Sequence, residues 1–149
     1  MSFVFGQESR NVFVYGSLMY LPVWLKVVKG IYRCENAVAT GFQRHAVPGE
    51  AYPAMVRFEG AYVQGMVWFD VLPEDLERLD AFEGDEYERS EIDVLLSSNG
   101  TQMKADTYMW LNPSVLNEEL WSVTHFETEG ILSFLDRHVE NWNATGHRK

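Results

Sequence analysis

Apolar and polar side chains alternate along several stretches of the chain, which is the pattern of strands with one buried face. The clearest pair is 87–96 and 102–111, because Asn99-Gly100 between them favours a tight hairpin turn. A second hairpin is predicted around Gly60. The strands predicted in this way are 11–15, 35–42, 54–59, 62–70, 87–96 and 102–111.

Three other segments have a helical pattern. Pro22 suits the first turn of a short helix over 22–28, and Pro73 that of a helix over 73–82. In the second helix an apolar residue recurs every three positions, Glu74 and Asp75 lie mostly off that face, and Gly84 is a stop signal. A third, C-terminal helix is predicted from one apolar stripe: Ile131, Leu135, Val139 and Trp142.

The order of these elements predicts an α+β fold, since strands mostly precede a terminal helix. A chain of 149 residues, 46% of them hydrophobic, is long and apolar enough to bury one core. We therefore expect a single domain over 1–149, with a core of about 11–111 and a helical extension of about 114–142. The segment 44–53 is rich in Gly and Pro and is predicted to be a loop.

The charge and the absence of apolar runs exclude several kinds of partner. The formal net charge of −10 repels polyanions, so nucleic acid and anionic membranes are not expected to bind. No run of eighteen uncharged apolar residues and no signal-peptide pattern occurs. We expect a cytoplasmic protein, and the single cysteine, Cys34, fits a reducing compartment.

Two common kinds of catalytic site find little support. Ser17 follows a strand in a glycine-containing turn, but Gly16-Ser17-Leu18 lacks the second glycine of a nucleophile elbow. Cys34 has no partner at motif spacing and is interpreted as a small hydrophobe. The histidines have no metal-ligand spacing, so we expect neither a metal nor a cofactor. They are His45, His125, His138 and His147.

An acidic turn is the strongest local candidate for chemistry. Residues 79–89, LDAFEGDEYER, end a helix at Glu83-Gly84 and open a strand. Such a turn is more often a solvated acidic cap than a site. A carboxyl that keeps its proton near neutral pH is, however, a suitable proton shuttle. Like charge and desolvation disfavour the ionised form of Glu83 through four neighbours: Asp80, Phe82, Asp85 and Glu86.

Residues 12–18, VFVYGSL, and the acidic segment 79–89 lie about sixty positions apart. Together they resemble the γ-glutamylcyclotransferase superfamily, and its avirulence-induced-protein-like branch in particular. The resemblance covers about residues 11–111. Four further segments also resemble that branch: Gly41-Phe42, Tyr52-Pro53-Ala54, Val63-Gln64-Gly65 and Asp106-Thr107-Tyr108-Met109-Trp110.

The resemblance implies a small mixed β-barrel with flanking helices and an activity that needs no cofactor. Such enzymes cyclise a γ-glutamyl amide or peptide to 5-oxoproline and release an amine or amino acid. The resemblance assigns the general acid/base to Glu83. It assigns the pocket for the γ-glutamyl group to the turn Tyr15, Gly16, Ser17 and Leu18, bordered by Met19 and Tyr20.

Several questions stay open at the level of sequence. Tyr87 and Tyr108 are candidates to line the pocket, although aromatic residues on strands are more often core. The expected partner is a small γ-glutamyl molecule, and selectivity for its leaving group is sought in 44–52. Alternatives are cyclisation of another γ-glutamyl conjugate and a non-catalytic binding or stress-response module. Both a monomer and a homodimer fit the sequence.

Overall fold

A computed structural model describes residues 8–47, 52–112 and Glu127. Strands β1 (Arg10–Val14), β2 (Cys34–Ala46) and β3 (Pro53–Val71) are followed by β4 (Tyr87–Leu96) and β5 (Gln102–Trp110). Helix α1 (Leu21–Val27) follows a 3₁₀ turn at Ser17–Met19, and helix α2 (Pro73–Glu83) lies between β3 and β4. The predicted C-terminal helix lies outside the described residues.

Within the described part of the chain the strands close into a barrel in the order β1-β3-β2-β4-β5. β1 completes the barrel, because it pairs antiparallel with β3 and parallel with β5, where Val12 lies opposite Asp106. The other neighbouring strands are antiparallel. The predicted α+β fold with a mixed barrel is confirmed.

Both helices begin and end within one residue of the bounds that the sequence predicts, 22–28 and 73–82. Each has a proline in its first turn, where the ring fixes φ and the missing N–H is not needed. α2 ends at Gly84, whose φ of 84° is a value that glycine adopts readily. This ending places Glu83 as the last helical residue and lets the chain turn at once into β4.

The apolar side chains form two main layers. One consists of strand residues, including Phe13, Met55 and Val67, together with Tyr15 from the turn after β1, and fills the barrel. The other lies between the barrel wall and the two helices, where the rings of Trp24 and Trp68 stack with centroids 4.2 Å apart. Alternate residues of β1 serve the two layers, so this one strand links the barrel interior to the helices.

The prediction of a hairpin around Gly60 is wrong. The two runs predicted as its arms form one continuous strand, β3, and both pair with β2. Arg57 lies opposite Phe42, whereas Tyr62, five residues on, lies opposite Thr40, only two residues back. The ladder thus changes register here, and Gly60 lies in the shifted part of β3 with a φ of 87°. The glycine therefore lies within a continuous strand and does not reverse the chain.

The loop predicted over 44–53 is too long at both ends. β2 continues to Ala46, and Pro53 opens β3 directly opposite it. A proline is compatible with the first residue of a strand, so its presence did not exclude this arrangement. The consequence for the site is that Arg44 and Pro53 are held by the barrel.

Asp75 lies in the interior, although the periodicity of α2 placed it mostly off the apolar face. Only 2% of it is exposed. Its carboxylate accepts hydrogen bonds from the backbone N–H groups of Lys29 and Gly30, both at 2.9 Å, and from the Tyr32 hydroxyl at 2.6 Å. Arg78 adds an ion pair at 2.6 Å. These bonds tie the first turn of α2 to the chain that follows α1.

Replacing Asp75 with Asn is expected to destabilise the fold by about 1–3 kcal/mol, because buried donors lose a charged acceptor. Burial acts to raise the pKa of Asp75, but the bonds from Tyr32, Lys29, Gly30 and Arg78 outweigh it and lower that pKa. A lowered folded-state pKa gives stability above the unfolded value of about 4, and this stability is lost as the pH falls below it.

Urea denaturation between pH 3 and 7 measures both effects. The matched control is Glu74→Gln, which removes an exposed carboxylate from the same helical turn. An Asp75→Asn variant as stable as this control, with an unchanged acid slope, would contradict the assignment.

Candidate active site

The carboxyl end of β1 continues into a tight turn that we call the cradle, Tyr15–Leu18. The 3₁₀ turn that overlaps its end, Ser17–Met19, is closed by the N–H groups of Met19 and Tyr20, which donate to the carbonyls of Gly16 and Ser17 at 3.0 and 3.1 Å. The first N–H groups of such a turn have no acceptor inside it. The amides of Gly16, Ser17 and Leu18 are therefore not used by the turn itself.

The cradle is held from two sides. A Cβ atom on Gly16 would lie 2.7 Å from ring carbons of Pro53, so only glycine fits against the start of β3. On the other side the Trp68 indole N–H donates to the Leu18 carbonyl at 3.4 Å. Close packing of the turn against β3 thus fixes where its amides lie.

Glu83, on helix α2, lies next to the cradle. It is half-buried at the carboxyl end of α2, and it lines one pocket with Gly16, Ser17 and Leu18. That pocket is partly open to solvent. A carboxyl group and the cradle amides therefore share one small cavity. Its other lining residues are Phe13, Val14, Tyr15, Tyr52, Pro53, Tyr87 and Tyr108.

Three tyrosines of this wall direct their hydroxyl hydrogens into the protein. Tyr15 donates to the Tyr108 carbonyl, Tyr87 to the Pro53 carbonyl at 2.7 Å, and Tyr108 to Asp80 Oδ1 at 2.6 Å. A phenol has one hydrogen to donate and lone pairs to accept. What these hydroxyls can still offer to a ligand is hydrogen-bond acceptance.

The same tyrosines remain protonated at neutral pH. Burial is the main cause that raises the pKa of Tyr15, Tyr87 and Tyr108 well above the usual value, and the negative charge of Glu83 adds to it in each case. For Tyr108 the charge of Asp80, to which it is bonded, contributes more than that of Glu83. These electrostatic effects are a second sign that Glu83 lies close to all three hydroxyls.

A chain of ion pairs runs from the pocket across the barrel surface. Arg89 bonds Asp80, the acceptor of the Tyr108 hydroxyl, at 2.8 Å and Asp106 at 2.6 Å. Asp106 is only 4% exposed and also accepts two bonds from Arg10, at 2.7 and 3.2 Å. A buried carboxylate needs such partners. The network thereby fixes Asp80 and, through it, the ring of Tyr108.

Met19 and Tyr20 lie apart from the rest of the predicted site. They border a neighbouring groove that also contains Arg44 and Gln64. Burial raises the pKa of Tyr20 to about 12, and a hydrogen bond to Glu127 contributes. The structure thus brings seven predicted residues into one pocket and these two into the groove beside it. The seven are Tyr15, Gly16, Ser17, Leu18, Glu83, Tyr87 and Tyr108.

The other nucleophile candidates are not supported. Ser17 lines the pocket, but His45, the one histidine among the described residues, lies on β2 paired with Ala54. Burial and the charge of Glu35 raise the pKa of Cys34, which disfavours a reactive thiolate. Within 8–47, 52–112 and Glu127, no three metal-ligating side chains gather at one point.

Two residues at the pocket have contacts that the sequence does not predict. The predicted loop includes Pro53, yet its ring packs on Gly16 and its carbonyl accepts a hydrogen bond from Tyr87. The sequence predicts only an electrostatic effect of Asp80 on Glu83 and does not indicate its bond to Tyr108. For Pro53, the only signal in the sequence is the resemblance of Tyr52-Pro53-Ala54 to the family.

Comparison with known proteins places the chain in a family. The sequence profile described as "Gamma-glutamyl cyclotransferase, AIG2-like" matches residues 12–127. The chain belongs to this family. AIG2-like protein A of Arabidopsis thaliana is 37% identical over 124 residues, which cover 79% of this chain and 75% of the relative.

Solved structures agree with this placement. The solution structure of an Arabidopsis thaliana protein, 33% identical, covers 85% of this chain and 86% of its own, with a TM-score of 0.66. A structure named γ-glutamyl cyclotransferase has a TM-score of 0.60 at 21% identity, covering 70% of this chain and 68% of its own. At that identity the likeness concerns the fold alone.

None of the helices described here has the length and apolar character that a membrane span requires.

The three buried tyrosines of the pocket, which we call the tyrosine wall, are expected to make the fold less stable at alkaline pH. Because the folded-state pKa values of Tyr15, Tyr87 and Tyr108 are raised, their contribution is complete below the unfolded value of about 10 and is lost as the pH rises above it. Tyr15→Phe is expected to reduce this slope by up to about 1.4 kcal/mol per pH unit. Urea denaturation between pH 8 and 11 measures it.

Tyr62→Phe is the matched control, because that ring is 63% exposed. Equal alkaline slopes in the two variants would show that Tyr15 does not titrate as a buried group.

Proposed function

We propose that this protein is a γ-glutamylcyclotransferase whose general acid/base is Glu83. The observation that carries the proposal is the shared pocket, since the Glu83 side chain and the Gly16–Leu18 turn line one cavity. Family membership supports the same reaction class. The substrate is a γ-glutamyl amide or peptide, and the products are 5-oxoproline and a free amine or amino acid.

The reaction needs no nucleophile from the protein. The α-amino nitrogen of a γ-glutamyl group lies at five-membered-ring distance from its own γ-carbonyl carbon. An enzyme accelerates such a ring closure mainly by holding the two atoms in the reactive geometry. The poor support for Ser17, Cys34 and His45 as nucleophiles fits this chemistry.

Glu83 is proposed to move two protons. The substrate's α-ammonium cannot attack until the carboxylate of Glu83 removes a proton from it. The amine nitrogen then forms a bond to the γ-carbon, and the carbonyl π electrons move onto the oxygen. When this intermediate collapses, the bond to the leaving nitrogen breaks as Glu83 returns the proton to that nitrogen. The regenerated carboxylate then removes the second proton from the ring nitrogen, which leaves a neutral lactam, and passes that proton to the released amine.

The cradle amides are proposed to stabilise the negative charge of the intermediate. Backbone N–H groups aimed at a developing oxyanion act without reorganisation, and removing one such donor typically costs about 10²–10³-fold in kcat. Gly16, Ser17 and Leu18 supply N–H groups that their own turn does not use. Gly16 also lets a ligand approach the backbone closely.

The tyrosine wall suits the charged end of such a substrate. An α-ammonium has three hydrogens to donate, and Tyr87 and Tyr108 retain lone pairs after donating their own hydrogens to Pro53 and Asp80. We propose that these two hydroxyls accept hydrogen bonds from the ammonium. Release of its proton to Glu83 then occurs within the same pocket.

Glu83→Gln is expected to lower kcat by about 10²–10⁴-fold, because the amide keeps the shape but cannot transfer the proton. The measurement is 5-oxoproline release from a panel of γ-glutamyl amino acids, γ-glutamylamines and glutathione. The panel also separates an enzyme for another γ-glutamyl conjugate from one for peptides. The fold should be unaffected, as checked by circular dichroism.

Glu77→Gln provides the control, since it removes an exposed carboxylate from the same helix. Turnover that survives in the Glu83 variant would refute the acid/base role. Binding of a γ-glutamyl compound without turnover by the wild type would favour the non-catalytic module.

A further inference from the structure

The back of the cradle is contacted by a cation that the proposed reaction does not yet use. Arg44, near the end of β2, donates from Nη1 to the backbone carbonyl oxygen of Tyr15 at 2.8 Å. It lines the groove that contains Met19 and Tyr20, whereas Glu83 lines the pocket and not this groove. We propose that Arg44 is a positioning residue that aims the Gly16 amide into the pocket. This inference rests on the proposed function.

The geometry of the peptide bond connects the two sides. The Tyr15 carbonyl and the Gly16 N–H belong to one planar unit, and no cis peptide occurs among the described residues. In a trans peptide the C=O and N–H vectors point in opposite directions. Holding the oxygen towards Arg44 therefore directs the hydrogen away from the groove and towards the cavity lined by Gly16.

The contact is also electrostatic. A hydrogen bond from a guanidinium to a carbonyl is charge-assisted and stronger than a neutral one. Burial lowers the pKa of Arg44, which shows that the cation is partly removed from water, but arginine remains protonated throughout the working range. Withdrawal of electron density from the Tyr15 carbonyl makes the Gly16 N–H a better donor to an oxyanion.

A rigid scaffold keeps Arg44 in place. Its backbone pairs with Met55 in the β2–β3 ladder, and the Tyr15 hydroxyl donates to the Tyr108 carbonyl on β5. The carbonyl of Tyr15 is thus held from β2 and its side chain from β5. A second contact from β3, the Pro53 ring on Gly16, limits movement of the same peptide. The Tyr15–Gly16 peptide is set by three independent contacts, of which Arg44 supplies the charge.

The kinetic test is Arg44→Met, which keeps an unbranched apolar stem and removes the donors. We expect kcat for 5-oxoproline release to fall by about tenfold to a hundredfold, less than for loss of an oxyanion donor itself. KM should change by less than about twofold, because the interaction strengthens only in the transition state. Arg44→Lys should retain part of the activity, since a point cation replaces the planar fork.

The spectroscopic test follows the Gly16 amide in ¹⁵N–¹H spectra while 5-oxoproline is added. In the wild type this resonance should shift on titration. In Arg44→Met it should start at a different position and respond at least about threefold less. This arm needs no turnover, so it separates the inference from the proposed function. If the wild type turns over no substrate but the Gly16 shifts behave as described, the reaction is wrong and the positioning role stands.

Arg57→Met is the matched control, because that exposed arginine lies over the Phe42 ring, 5.3 Å from its centroid, away from the cradle. It should leave kcat and the Gly16 resonance unchanged. The inference is overturned if Arg44→Met behaves like this control. It is also overturned if KM rises while kcat holds, since Arg44 would then bind substrate directly. Should Arg44→Met fail to fold, Arg44→Lys decides by the same two readouts.

Discussion

The site depends on the close approach of β1 to β3 at the point where the barrel closes. A Cβ atom on Gly65 would lie 2.2 Å from the Val14 carbonyl oxygen and 2.8 Å from the Phe13 ring, so β3 can pass β1 here only with a glycine. Because β1 also pairs with β5, this contact fixes the strand between two neighbours. The cradle that follows β1 inherits its position from that closure.

Glu83 is brought to the cradle by independent constraints on α2. At the start of the helix, Asp75 binds the chain that follows α1. Near its end, Asp80 binds both Arg89 on β4 and the Tyr108 hydroxyl on β5. The carboxyl group is thus carried by a helix attached at both ends, which is the preorganisation that the proposed proton transfer requires.

How much of this the sequence could predict differs between local and long-range features. Proline at helix starts and Gly84 after Glu83 act through the backbone of their own segment, so α2 was predicted almost to the residue. Gly60 shows the limit of such signals, because a glycine with a positive φ fits both a hairpin turn and a change of register within a strand, and only the pairing with β2 distinguishes them.

The site shows the same division. The cradle and Glu83 were expected from two short segments and a family resemblance, and both line the pocket. The roles of Asp75 and Asp106 could not be predicted, since a carboxylate on a helix or a strand is normally solvated. Asp75 is stabilised by Lys29, more than forty positions away in the sequence. Asp106 is stabilised by Arg10, more than ninety positions away. The sequence pattern within one helix or strand does not indicate partners that are so distant.

The direction of the tyrosine hydroxyls has a consequence for the end of the reaction. A wall that presents lone pairs holds a group with three polar hydrogens better than a group with one. In the proposed reaction the nitrogen changes from an ammonium to a lactam N–H, which can satisfy a single acceptor. If the reaction proceeds as proposed, the two hydroxyls bind the open-chain substrate more strongly than the ring product, so the same hydroxyls that bind the reactant favour product release.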